Sequence, residues 1–237
     1  MSRLFHCKQF SLSDEGCSMK IGTDAVLLGA WTDIIDCASI LDIGTGSGIL
    51  ALMLAQKSTA LIDALEIDVP AAETAENNFH NSPWKSRLHI YKMSLNEFLK
   101  AKPKTYDLIV CNPPFFNNSL LSGDAKKNMA KHNVSLTYKE LALSAFELLN
   151  PNGKISVILP FDNLKQFSDI CQLHNFKCSM MSEVVPITNK KANRVLLQFI
   201  NSQDNINCSR SSLTIRQDKN TFTSDYLQLT RAFLLNS

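Results

Sequence analysis

Apolar positions along the chain follow two alternating rhythms. Short runs rich in Val, Ile and Leu take turns with longer segments in which apolar residues recur every three or four positions. Thr23 to Ile35, with apolar residues at 26, 27, 30, 31 and 34, predicts a helix. Ser39 to Ile43 predicts a buried strand, Ile49 to Gln56 a helix and Leu61 to Ile67 the next strand. Asp68 stands where it can cap a further helix, with Pro70 in the first turn, where a missing N–H does no harm. Strands are expected near Leu88 to Tyr91, over Tyr106 to Cys111 and over Lys154 to Leu159. Helices are expected over Leu95 to Lys100, Lys139 to Leu149 and Leu164 to His174, the second of these ended by Pro151-Asn152-Gly153. Ser179 to Pro186 and Arg194 to Ile200 read as a closing antiparallel pair. This alternation predicts an α/β fold, a mostly parallel sheet with helices on both faces. The polar stretches 117–133 and 201–212 are expected to be weakly structured.

A chain of 237 residues, 45% hydrophobic and 19% charged, can bury a full core. The seven cysteines, at 7, 17, 37, 111, 171, 178 and 208, form no CxxC pair and are odd in number. They argue against a disulfide framework and against a metal site, and fit a reducing cytoplasm. The longest apolar run, Ile49 to Ala55, is far short of the roughly 20 residues that cross a bilayer, and the N-terminus lacks the apolar core of a signal peptide. A soluble, cytoplasmic protein is expected. Net charge is only +2, but it is unevenly spread. Residues 1–118 hold 10 Lys+Arg against 13 Asp+Glu, whereas residues 119–237 hold 14 against 9. The second half could present a basic face to phosphate, although a solvated surface accounts for the same counts.

The turn Leu41-Asp42-Ile43-Gly44-Thr45-Gly46-Ser47-Gly48 lies between a strand and a helix. Glycines there allow a left-handed backbone and the close approach of a ligand. The dinucleotide fingerprint G-x-G-x-x-G would require glycine where Ile49 stands, so pyrophosphate cradling fits less well than a cofactor without phosphates. Asp42 suits a ligand bearing a cation, as S-adenosylmethionine does. Glu66, 22 residues after Gly44 at the end of the second strand, can accept both hydroxyls of a ribose. It marks a nucleoside without saying which. Asp68 reads better as a helix cap.

Asn112-Pro113-Pro114-Phe115 follows directly on the strand Tyr106 to Cys111, at the carboxyl end where open α/β sheets bind ligands. The prolines remove N–H donors and stiffen the turn, leaving carbonyls free to accept. An amine conjugated to an aromatic base is a poor nucleophile. If the Asn112 side-chain oxygen and the Pro113 carbonyl accept its two hydrogens, its lone pair can be turned toward a methyl donor. Phe115 would stack on the base. No strong general base is then needed.

Leu41 to Gly48, Glu66 and Asn112 to Phe115 resemble the motifs of class I S-adenosylmethionine methyltransferases that modify nitrogens of adenine, cytosine, guanine or glutamine. Phe5 to Gln9, Met19 to Trp31 and Leu213 to Leu234 are similar to the bacterial tRNA(Val) adenine-N6 methyltransferases, and the resemblance covers nearly the whole chain. It implies a Rossmann-like seven-stranded sheet with an antiparallel last strand, in one domain. Residues 1–36 would close over the cofactor, 37–201 form the catalytic core and 202–237 a C-terminal extension. The implied substrate is the adenine beside the anticodon of tRNA(Val). With the resemblance, the candidate cofactor residues are Lys20, Gly22, Thr23, Asp24, Asp42, Gly44, Thr45, Gly46, Gly48, Glu66, Ile67, Ser94 and Asn112; from the residues alone, Thr23 or Asp24 would be called a helix cap. The candidate catalytic residues are Asn112, Pro113, Pro114 and Phe115. Ser94 stands where the class often has Asp, and Phe115 where many relatives have Tyr. Candidates for RNA phosphates are Lys126, Lys127, Lys131, Lys190, Lys191 and Arg194. His132, Trp31 and Trp84 read as surface or packing residues. A protein glutamine or a DNA adenine as substrate, or a non-catalytic RNA-binding protein of the same fold, are the alternatives.

Overall fold

The computed structural model describes residues 4–101, 104–113 and 136–235. A two-stranded hairpin, β1 (Phe5–His6) and β2 (Ser11–Leu12), precedes α1 (Thr23–Trp31). The central part alternates β3 (Ser39–Ile43), α2 (Ile49–Lys57), β4 (Leu61–Glu66), α3 (Val69–His80), β5 (Leu88–Lys92), α4 (Leu95–Ala101) and β6 (Tyr106–Cys111). Beyond residue 135 come α5 (Tyr138–Leu148), β7 (Leu149–Pro160), α6 (Leu164–Leu173), β8 (Phe176–Ile187), β9 (Arg194–Asn201), β10 (Ser209–Arg216) and α7 (Ser224–Thr230).

Eight strands form one sheet in the order β10-β8-β9-β7-β6-β3-β4-β5. Only β9 runs antiparallel to its neighbours. The carboxyl ends of the other seven strands therefore share one edge with the amino end of β9. Central strands are buried on both faces, which is why they read as continuous apolar runs. On β3, Ile40 packs into a core that includes residues of α1, α2, α3 and α7, while Leu41 and Ile43 pack into a second core with α4, α5 and α6.

The sheet has one strand more than expected. β10 pairs in parallel with β8, so 209–212, expected to be weakly structured, are strand. Its first four residues are exposed and polar, and Leu213 is the buried anchor, so the edge strand leaves no apolar rhythm in the sequence. β7 also starts earlier than Lys154, at Leu149, with Asn152 in a left-handed conformation (φ 62°). The Pro-Asn-Gly stretch follows the end of α5 as expected but lies within β7, where the register against β6 shifts between Leu149 and Lys154. The cysteine expectation needs one amendment: the sulfurs of Cys178 and Cys208 pair, with Cα atoms 5.3 Å apart, while Cys7, Cys17, Cys37, Cys111 and Cys171 are free.

Helix ends show which side chains are already committed. Gly22 is the N-cap of α1, with no side-chain cap, in place of Thr23 or Asp24. Asp68 occupies the N-cap position of α3, but its carboxylate makes no capping hydrogen bond. The far end of α1 is closed by Lys57, whose Nζ donates to the carbonyls of Gly29, Ala30 and Thr32 at 3.2, 3.0 and 2.7 Å. Burial pushes this ammonium down to about 8. Among the described residues no helix is long and apolar enough to cross a membrane.

Candidate active site

Three strand ends meet at the centre of the carboxyl edge. Asp42 pairs with Val110 and Ile43 with Cys111, so Gly44 and Asn112 continue adjacent parallel strands, and β4 flanks β3 on the other side. Adjacent strands lie about 4.8 Å apart, which places the glycine turn, Glu66 and Asn112 around one small volume.

The turn is held by backbone geometry. Gly44, Gly46 and Gly48 all have positive φ, at 70°, 56° and 84°. The amides of Gly44 and Thr45 donate to Leu65 O at 2.8 and 3.0 Å, stapling the turn to the end of β4. A Cβ on Gly44 or Gly46 would meet nothing within 4 Å, whereas one on Gly48 would lie 2.5 Å from Cε1 of Phe79. The first two glycines thus face open space large enough for a ligand to approach the main chain. The third allows α2 to pack on α3.

Asp42 is fully buried. Its Oδ2 accepts from Thr45 Oγ1 at 2.5 Å, and its Oδ1 has no donor among the described residues. Burial pushes its carboxyl up to about 7, against the lowering effect of the Thr45 hydrogen bond. Glu66 is engaged twice by the main chain: Gly46 N donates to Oε2 and Asp68 N to Oε1, each at 2.9 Å. Each oxygen keeps a further lone pair for a hydroxyl donor, so the carboxylate is oriented rather than used up. Ile67, next in the chain, is 47% exposed and offers an apolar wall there.

The Oδ1 of Asn112 is buried and lacks a donor among the described residues. Pro113 is buried beside it. Pro114 and Phe115 lie outside the described residues, as do Lys126, Lys127, Lys131 and His132. Buried polar atoms are nearly always paired in folded proteins. Two unpaired acceptors and two open glycine positions at one strand edge therefore mark a site built for donors and a cation, and S-adenosylmethionine supplies both.

The segment before α1 is tied to this site by a residue the sequence did not single out. Asn78, buried on α3, donates to Ser47 O and Ser13 O at 2.8 Å and accepts from Ser13 N at 2.9 Å. The only available signal was an asparagine on the apolar side of a helix. Lys20 Nζ donates to Asp14 O at 2.7 Å, and Asp14 Oδ2 accepts from Ile21 N at 3.2 Å. Asp24 is joined across the sheet edge to Arg194, Oδ2 to Nε at 2.9 Å. The structure therefore brings two candidates together that had been assigned to different ligands. Ser94 is occupied as well: its hydroxyl donates to Glu97 Oε2 at 2.7 Å and accepts from Glu97 N at 3.2 Å, closing the first turn of α4. Lys190 and Lys191 are exposed on the loop after β8. Among the described residues no group of three His, Cys, Asp or Glu could hold a metal.

A strand-turn-helix with three left-handed glycines, a carboxylate at the end of the next strand and an Asn-Pro bend beside it define a class I methyltransferase. The structure resembles a predicted O-methyltransferase of Agrobacterium tumefaciens (TM-score 0.68, 17% identity, 89% of this chain and 96% of that one). It also resembles TYW2 of Pyrococcus horikoshii in complex with MeSAdo (TM-score 0.58, 13% identity, 84% and 70%). The methyltransferase small domain family matches residues 20–165. A tRNA1(Val) (adenine(37)-N6)-methyltransferase of Flavobacterium psychrophilum is 41% identical over 98% of this chain and 99% of its own length. One from Bacteroides fragilis is 39% identical over 98% and 97%. The chain belongs to the methyltransferase small domain family and, within it, to the tRNA1(Val) (adenine(37)-N6)-methyltransferases.

Proposed function

We propose that the protein methylates N6 of adenine 37 in tRNA1(Val), with S-adenosyl-L-methionine as the methyl donor, in the cytoplasm. The observation that carries this reading is the buried, unpaired Oδ1 of Asn112, one strand away from the open glycine turn, in a chain that matches adenine-N6 methyltransferases end to end. In this reading 1–36 close over the cofactor, 37–201 do the chemistry and 202–237 extend the sheet.

The bound cofactor supplies an electrophilic methyl on a sulfonium. Asn112 Oδ1 accepts one hydrogen of the adenine amine and the Pro113 carbonyl the other, which turns the nitrogen lone pair out of conjugation with the ring. Thr45 orients the Asp42 carboxylate, whose unpaired oxygen would hold the cationic part of the cofactor. Glu66 holds the ribose hydroxyls while its own orientation is fixed by two amides. The proton leaves the amine after methylation, when the nitrogen is strongly acidic, so no dedicated base is required. Mass spectrometry of tRNA from cells with and without the gene tests the assignment: loss of one methyladenosine from tRNA(Val) is expected, and an unchanged methyladenosine content would refute it.

Asp42 adds a pH dependence to cofactor binding. Its carboxyl is raised from 3.8 to about 7, so the free protein holds a proton there across that interval and releases it above about 7. A cation placed on Oδ1 favours the carboxylate and expels that proton, so affinity should rise with pH up to about 7 and then level off. Calorimetry near pH 6 in buffers of different ionisation enthalpy should show nearly one more proton released by the wild type than by Asp42→Asn. Near pH 8.5 the difference should vanish. Equal release at pH 6 would remove Asp42 from the cofactor contact.

A further inference from the structure

The carboxyl edge of the sheet continues from Asn112 toward β10, and its register fixes what lies there. Cys111 pairs with Val157, Pro160 lies opposite Arg194, Arg194 opposite Val184, and Ile187 opposite Arg216. At about 4.8 Å per strand, Arg194, the loop after β8 and the end of β10 lie about 10, 14 and 19 Å across the sheet from β6. Segments 187–194 and 216–221 hold Lys190, Lys191, Arg194, Arg216 and Lys219 against a single acid, Asp218. That carboxylate is exposed and accepts from Asn220 N and Thr221 N at 2.8 and 2.9 Å, which holds it below its usual range, so the rim keeps one negative charge against five positive ones. Arg194 is bound to Asp24 and anchors α1 to the edge, leaving Lys190, Lys191 and Lys219 as exposed cations.

Beside this rim a cleft of about 380 Å³ opens between the β1 strand, the start of α1 and α7. Phe5, His6, Thr23, Phe222, Tyr226 and Leu235 line it. The guanidinium of Arg216 lies 4.0 Å over the Phe222 ring, which itself stacks on Tyr226 with centroids 4.7 Å apart and 18° between planes. Cations and cleft thus meet at Arg216, and the surface is built jointly by the N-terminal segment, the loop after β8 and the C-terminal extension. We propose that this cleft and its basic rim dock the RNA flanking the target adenine, with phosphates on Lys190, Lys191 and Lys219 and one unpaired base in the cleft. The proposal rests on the reading above that the substrate is a tRNA. A base held at Asn112 carries its strand along this edge within a few nucleotides, and every base offers a π face to the exposed His6 and half-buried Phe5 rings that line the cleft, Phe222 and Tyr226 being stacked on each other.

The test is the triple variant Lys190→Glu/Lys191→Glu/Lys219→Glu in the full-length protein, with Leu235→Trp, which fills the cleft from its mouth, as a second probe. With tRNA(Val) as substrate, both should raise KM for tRNA about 10-fold or more while kcat at saturating tRNA and the Kd for S-adenosylmethionine stay within two-fold, roughly as loss of phosphate contacts demands. The triple variant should also flatten the dependence of log affinity on log salt by about 0.7–0.9 per lost phosphate contact. An unchanged KM and salt slope beside an active wild type would overturn the docking surface alone. A rise in KM for the triple variant without one for Leu235→Trp would overturn the placement of a base in the cleft. Failure of the wild type to methylate any tRNA would overturn the activity itself and this surface with it.

Discussion

Asn112→Ala is expected to lower kcat for tRNA methylation by about 100-fold or more while S-adenosylmethionine still binds within a few-fold of wild type. The asymmetry follows from where the carboxamide sits. Its Oδ1 is buried without a donor, so nothing in the described protein depends on it for a hydrogen bond, and its removal leaves no stranded partner. Truncation even relieves an unpaired acceptor, so thermal stability should hold or rise slightly. What disappears is the acceptor that aims the amine, a contact that matters most as the nitrogen loses conjugation. Asn112→Asp distinguishes aiming from charge: it keeps an acceptor in place and should retain more activity than Ala. Single-turnover rates with saturating cofactor and tRNA measure both. Near-normal turnover by Asn112→Ala would remove this residue from the chemistry.

The three glycines of the turn should separate into two phenotypes when substituted. Gly46→Val places a branched side chain in the open space beside the turn, where no protein atom lies within 4 Å. Its left-handed φ costs about 1–2 kcal/mol, yet the larger effect is on cofactor binding, which should weaken about 100-fold or more because the new methyls fill the ligand's approach. Gly48→Ala acts on stability instead, since its Cβ would stand 2.5 Å from the Phe79 ring at the packing of α2 on α3. The strained φ and the forced repacking together cost about 2 kcal/mol or more, a fall in Tm of at least roughly 4–8 °C for a chain of this size. Calorimetric titration and thermal melts on both variants decide it. Equal loss of cofactor affinity in both, with equal stability, would contradict the division.

Much of the candidate site could be read from residues close together in the chain. The glycine turn announces itself because left-handed backbone and close ligand approach both select glycine, and it sits where a buried run gives way to a helical rhythm. Asn112-Pro113 is conspicuous because a proline pair after a buried strand is incompatible with continuing it. Glu66 was visible from its position at a strand end. Other features gave no such signal. Ser94 carries a hydroxyl suited to a ligand, but Glu97 three residues on takes it for a helix start. Lys57 gives no local signal, and only folding brings its ammonium to three carbonyls at the end of α1.

By itself, the sequence determined the α/β alternation, the central strands and the turn chemistry, because these depend on propensity and burial rhythm within a dozen residues. It also carried the family, through motifs distributed over nearly its full length. Tertiary structure alone decided which long-range partners each polar group would take. Asp24 and Arg194 are 170 residues apart and Ser13 and Asn78 are 65, and no local pattern encodes such pairs. The eighth strand was hidden for the same reason: a polar edge strand gains its hydrogen bonds from a neighbour, not from its own side chains. With that strand come Arg216 and the aromatic cleft, which exist as one surface only once the C-terminal residues have paired with β8 and packed α7 against α1.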